Sequence, residues 1–280
     1  MNAIVKGSLV VGTLLILGAG LAAGLRGGGG SAAPEKTPSS GAGKKQVLTI
    51  AAASDLKFAL DEWVTQFRAK NPDAEVRVTY GSSGNFSAQI ANGAPFDLFL
   101  SADVSYPRTL AAQGLVHESG VFLYAVGRIV VWVPKDSPLP VEKLGMKALL
   151  EPAAKRIAIA NPQHAPYGRA AEAALKSQGV YDAVKDKLVL GENIAQTAQF
   201  VQSGAAEAGL IALALAHAPA MRGEGRFWEV PLEAYPRMEQ GGAILERAKA
   251  PELARRFRDH LLGPEGTVLL KRHGFSLPKE

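Results

Sequence analysis

From Gln46 onward, short apolar runs alternate with stretches whose apolar residues recur every three or four positions. VLTIAAA (47–53) reads as a buried strand. SDLKFALDEWVTQFRAKN follows at once, with Leu56, Ala59, Leu60, Trp63 and Phe67 at helical spacing. EVRVTY (75–80) alternates as a half-buried strand does, and GSSGN then turns into a helix, FSAQIANG. FDLFLSAD (96–103) predicts a short buried strand and PRTLAAQG the helix after it. RIVVWVPKD (128–136), RIAIANP (156–162) and AGLIALA (208–214) repeat the strand–loop–helix design, with no internal sequence repeat. This alternation predicts an α/β fold of βαβ units, with mostly parallel sheets covered by helices. Ligands of such folds sit beyond the carboxyl ends of the strands.

The pattern changes before Gln46. Met1–Lys6 carries one positive charge, and residues 7–25, GSLVVGTLLILGAGLAAGL, carry none. A basic start followed by an apolar run is the layout of an export signal, and its length also suits an uncleaved anchor. Residues 1–26 are therefore expected to be a signal peptide or an N-terminal membrane anchor. Residues 27–45, GGGGSAAPEKTPSSGAGKK, are rich in Gly, Ser and Pro with nothing apolar to bury, and are expected to be a linker.

Composition narrows the function. Of 280 residues, 47% are hydrophobic and 20% charged, so the chain is globular rather than disordered. The net charge is +5 and the pI about 9.3, but Lys and Arg are scattered and nowhere interleaved with aromatic residues, which argues against nucleic acid. Cysteine is absent, which removes disulfides, thiol catalysis, a lipoprotein cysteine and zinc–thiolate sites. The five histidines, at 117, 164, 217, 260 and 273, never stand at metal-ligand spacing, and only His164 lies in a loop near the expected cleft. There is no GxSxG elbow, and no GK[ST] follows GSSG.

Ser54, Ser82 and Ser83 each follow a strand and precede a helix. A serine there is first of all an N-cap. The same junction also presents unpaired N–H groups at the positive end of a helix, and two such junctions facing one cleft make an anion site without a fixed positive charge. Gly81 and Gly84 are expected to let the backbone come close to a ligand. Two later loops have the same layout: 161–175, entering a helix near Tyr167, and 191–204, turning into a helix after Asn193. Tyr167 reads equally as a packing residue, and Asn193 as a plain N-cap. Asp97 and Asp103 flank a strand and are expected to serve structural hydrogen bonds rather than a metal.

AAASDLKFAL, YGSSGNFSAQI, GAPFDLFLSAD, NPQHAPYGRAAEAAL, ENIAQTAQFVQSGAAEAGLIAL and GPEGTVLLKRHGFSLP, in that order, resemble the periplasmic molybdate-binding proteins of ABC importers. The resemblance covers nearly all of residues 46–280. It implies a two-lobed Venus-flytrap fold crossed twice by the chain, with 46–126 plus 236–280 in the first lobe and 127–235 in the second. It implies that molybdate or tungstate is held by neutral donors: the hydroxyl and N–H of Ser54 and of Ser83, and the backbone N–H groups of Tyr167 and Ile194. No catalytic residue, no resident cofactor and no direct side-chain metal ligand are expected. The expected setting is a monomer in the periplasm or on the outer face of the cytoplasmic membrane, serving importer permease and ATPase subunits. Some family members add a Tyr hydroxyl at the position of Ala212, and the Tyr167 hydroxyl is expected to replace it.

Molybdate and tungstate near neutral pH are fully deprotonated and only accept hydrogen bonds, whereas phosphate keeps a proton and needs an acceptor. Asp55 is the one neighbour that could serve as that acceptor, and it is expected to turn away and cap its helix. The rival readings are the same fold binding sulfate, phosphate or an organic acid, an envelope hydrolase using Ser83, and a tethered sensor domain.

Overall fold

The computed structural model describes residues 45–279. The expected leader (1–26) and linker (27–45, apart from Lys45) lie outside the described residues. The first lobe opens with β1 (Gln46–Ala53), a 3-10 turn (Ser54–Leu56), α1 (Lys57–Lys70), β2 (Ala74–Gly81), α2 (Ser83–Ala91), β3 (Leu98–Ser101), α3 (Ser105–Ala112) and β4 (Val116–Gly127). The second contains β5 (Ile129–Pro134), α4 (Val141–Leu144), β6 (Ile157–Ala160), α5 (Pro166–Ser177), α6 (Tyr181–Val184), β7 (Leu188–Gly191), α7 (Ile194–Gln202), β8 (Ala208–Ala212), α8 (Leu213–Ala216) and β9 (Gly225–Glu229). The chain then returns to the first lobe for β10 (Met238–Leu245), α9 (Pro251–Leu262) and α10 (Pro264–Arg272).

Each lobe is built on one five-stranded sheet, in the orders β2-β1-β3-β10-β4 and β7-β6-β8-β5-β9. The sheets are mostly parallel, as expected, with one reversed strand in each. β10 runs antiparallel to β3 and β4, and β5 runs antiparallel to β8 and β9, while the remaining contacts are parallel. The reversed strand is in each case the first to arrive from the other lobe. A strand that follows a helix enters its sheet at the end far from the cleft. A strand that crosses directly between lobes enters at the cleft end and so points the other way. The two sheets thus share one topology although the sequence holds no repeat.

Strand alternation sorts the first core into two layers. Ile50, Leu98 and Leu100 face Trp63, Phe67 and Phe257 from α1 and α9, while Ala51 and Phe99 face Phe86, Ile90 and Leu110 from α2 and α3. The second lobe has a continuous core that includes Val131, Trp132, Ile159, Leu175, Val201 and Leu210. Asp97 has the structural role expected of it. It accepts from Thr49 N (2.7 Å) and Oγ1 (2.6 Å), and from Lys249 N (2.6 Å) and Ala250 N (3.2 Å), tying the start of β3 to the start of α9.

Candidate functional site

β1 and β2 end at the cleft, and so do β6 and β7 of the other lobe. Each is followed within a few residues by a helical turn. The four turns bring Ser54, Ser83, Tyr167 and Ile194 to the wall of one small buried pocket, with Ala53, Asp55, Ser82, Ala102 and Asn193. All four are buried. No Lys, Arg or His lines the pocket.

The local sequence explains which N–H groups remain for a ligand. α5 begins with Pro166, which has no N–H, so its first donor is Tyr167. At α7 the Asn193 side chain accepts from Ala195 N and Gln196 N, both at 3.1 Å. Asn193 is thus the N-cap the sequence suggested, and it leaves the N–H of Ile194 untouched. The serines do not cap their own helices. Neither the turn at Ser54 nor the start of α2 has a side-chain cap. Ser54 Oγ instead crosses the cleft, donating to Asn193 Oδ1 (3.1 Å) and accepting from Ala195 N (3.2 Å). Ser83 Oγ accepts from Ala102 N (3.0 Å). Among the described residues, the N–H groups of Ser83, Tyr167 and Ile194 have no hydrogen-bond acceptor outside their own helices. First-turn amides without acceptors, converging from two lobes, are an anion-binding arrangement.

The lobes are closed on each other around this pocket. Ser82 Oγ donates to the His164 carbonyl (2.5 Å), and Gly84 N donates to the same oxygen (2.9 Å). Asn85 meets Glu192 (2.5 Å), and Arg169 meets Asp103 (2.7 Å) and Tyr106 (2.8 Å). These contacts correct the reading of Gly84. A Cβ on Gly84 would stand 2.6 Å from the His164 carbonyl oxygen, so the close approach there is to the opposite lobe. A Cβ on Gly81 would meet the Phe86 ring of its own lobe. Gly81 lines the pocket, as expected of it, whereas Gly84 does not. Asp103, placed correctly among structural groups, also makes an ion pair between lobes.

Two further expectations are corrected. The Tyr167 hydroxyl gives its single proton to Asp55 Oδ2 at 2.8 Å, so it does not replace the donor absent at Ala212. Asp55 does not serve its own helix alone, because Tyr167 and Gln240 Nε2 (2.6 Å) also hold the carboxylate. Burial pushes its pKa up to about 6, against the opposing hydrogen bonds from Gln240 and Tyr167 and the N–H groups of residues 55 and 56. Gln240 was missed in the sequence. Its signal is a lone amide in MEQGGAIL, a stretch that reads as a turn because of its two glycines.

A wider hollow lies beside the pocket, between Ala102–Ser105, Pro166–Ala170 and Pro236–Glu239. It carries Arg169 and Arg237, paired with the carboxylates Asp103 and Glu239, and is too large to enclose a single small anion. His164 Nδ1 stands 3.0 Å from Ser82 Oγ. Because Ser82 donates to a carbonyl, the imidazole acts as donor in that contact, and the pair is not a nucleophile with its base.

The family is now defined by fold and site together. The chain matches the family model of bacterial extracellular solute-binding proteins over residues 48–276, and it belongs to that family. It is similar to a molybdate-binding protein of Azotobacter vinelandii, with 37% identity over 230 residues, covering 82% of this chain and 90% of the relative. A molybdate-binding protein of Rhodobacter capsulatus is 34% identical over 200 residues, covering 71% of this chain and 77% of the relative. Among solved structures, the periplasmic molybdate-binding protein of Azotobacter vinelandii matches with a TM-score of 0.77 at 33% identity, covering 82% of this chain and 99% of that one.

Proposed function

We propose that this solute-binding protein captures molybdate, and tungstate in the same pocket, and delivers it to an ABC importer. Four first-turn residues, Ser54, Ser83, Tyr167 and Ile194, line one buried pocket that no cation lines, and this observation carries the reading. The hydroxyls of Ser54 and Ser83 turn toward the anion by exchanging their present partners. With the Asp55 carboxylate taken up by Tyr167 and Gln240, the remaining donors suit a fully deprotonated tetrahedral dianion, which can only accept. They do not suit phosphate, whose remaining proton requires an acceptor. The names of the similar proteins select molybdate among the pure acceptors.

The mechanism is binding without catalysis. One lobe collects the anion, the other closes on it, and donors from both lobes stabilise the closed state. The closed form is what the permease and ATPase subunits of the importer receive. The basic start and apolar run of residues 1–26 support a location outside the cytoplasm, either released or anchored. Ser83 is a ligand donor rather than a nucleophile, since its hydroxyl accepts from Ala102 N and has no base beside it.

Isothermal titration with molybdate, tungstate, sulfate and phosphate tests this reading. Molybdate and tungstate are expected to bind one per chain, with phosphate silent. Sulfate competing at equal concentration overturns the choice of molybdate.

A further inference from the structure

At the wall of the pocket, Asp55 and Tyr167 join Gln240 in a polar cluster whose side chains the anion does not use. Asp55 stands in the 3-10 turn of the first lobe, Tyr167 on α5 of the second, and Gln240 on the returning strand β10. They are 2%, 2% and 0% exposed. Tyr167 Oη donates to Asp55 Oδ2 at 2.8 Å. Gln240 Nε2 donates to the same oxygen at 2.6 Å and also reaches Tyr167 Oη at 3.2 Å.

The cluster rests on both segments by which the chain crosses between lobes. Met238 of β10 pairs with Gly127, the last residue of β4, and the ladder is irregular at Gln240–Gly241. A Cβ on Gly127 would lie 2.6 Å from Tyr167 Oη and 2.8 Å from Gln240 Nε2, so only glycine at this crossing leaves room for the contact.

We infer that Asp55, Tyr167 and Gln240 are the latch of the closed state, and that Tyr167 is a positioning residue whose hydroxyl sets how long the bound anion is retained. The inference rests on the binding reading above. Asp55 and Gln240 belong to one lobe, so their bond survives opening and keeps the carboxylate aimed. Tyr167 belongs to the other lobe, so its bond forms only on closure and breaks on every opening. A hydrogen bond to a carboxylate held away from water is among the stronger ones, and the backbone N–H that faces the anion belongs to the same residue. Closing the latch therefore seats that donor.

The chain has no cysteine, so Ala88→Cys and Ser177→Cys, at exposed positions on different lobes, accept a dye pair whose energy transfer reports lobe separation. Single-molecule transfer and stopped-flow release of molybdate are measured in the full chain, in Tyr167→Phe, in Asp55→Ala and in the double variant. Tyr167→Phe is expected to release molybdate about ten to a hundred times faster with an unchanged association rate, and to lower the closed fraction without anion. The double variant is expected to release no faster than the faster single variant, because one bond cannot be lost twice. Release from Tyr167→Phe at the wild-type rate overturns the latch, as does multiplication of the two single effects. Should Asp55→Ala fail to fold, Tyr167→Phe alone still decides. If the wild type ignores molybdate, the ligand reading fails. The unliganded closed fraction then tests the latch by itself, an unchanged fraction in Tyr167→Phe overturning it.

Discussion

At the scale of single residues, Asp55 is where sequence and environment conflict most. An acid beside a pocket for a dianion is unfavourable, and burial answers by raising its pKa to about 6 from an ordinary value of 3.8. A folded-state pKa above the unfolded value means that the folded protein binds the proton more tightly. The stabilisation is therefore fully present below about pH 4, is lost as the pH rises to about 6, and stays lost above it. The difference amounts to about 3 kcal/mol. Asp55→Asn keeps an acceptor for Tyr167 without the charge. In urea unfolding it is expected to be more stable than wild type at about pH 8 by an amount of that order, and to match it near pH 4. A loss of stability at the higher pH would show that the charge itself holds the cluster together. Ser54, Ser83 and Asn193 were legible as junction residues because capping and ligand binding use the same donors. The partner of the Tyr167 hydroxyl was not legible, because Asp55 and Gln240 are distant in the chain and meet Tyr167 only across the cleft.

At the scale of elements, the strand-to-helix junction is the working unit. Its geometry follows from local chemistry: Pro166 removes one donor, Asn193 absorbs two, and the next amide is left free. α2 adds a constraint of its own, since the Gly84 N–H reaches the His164 carbonyl of the opposite lobe. Gly84→Ala is expected to preserve the far-UV spectrum, because alanine favours the helix, and to weaken molybdate binding about tenfold or more by holding the lobes apart. Titration calorimetry checks this, and unchanged affinity would mean that closure tolerates the methyl group. The strands with clean apolar runs were readable from the pattern. β4 and β10 were not. β4 begins VHESG on a partly exposed surface, and β10 carries the glycine pair that imitates a turn. Both are fixed by pairing with each other, a contact between distant parts of the chain.

At the scale of the whole molecule, binding and closure are one equilibrium. A ligand that fits only the closed form stabilises it by mass action. Molybdate at about a hundred times its dissociation constant is expected to raise the melting temperature by about 5–10 °C, with phosphate at equal concentration giving no shift. Scanning calorimetry with each anion makes the comparison, and equal shifts would mean that the pocket does not distinguish a pure acceptor from one that keeps a proton. The contacts Ser82–His164, Asn85–Glu192 and Arg169–Asp103 surround the pocket and join the same two lobes, so the protein works as a clamp with the anion inside.

The sequence by itself determined the periodicities, and with them the α/β class, the order of the elements seen in the apolar runs, and the placing of Ser54, Ser83, Tyr167 and Ile194 at helix starts. These are local properties, set by spacing and capping within a few residues. Only the tertiary structure decided that one strand in each sheet runs backwards, that Gly84 is reserved for the opposite lobe, and that the Tyr167 hydroxyl serves Asp55 rather than the anion. Each of these depends on groups far apart in the chain, whose distance is fixed by how the lobes cross and close.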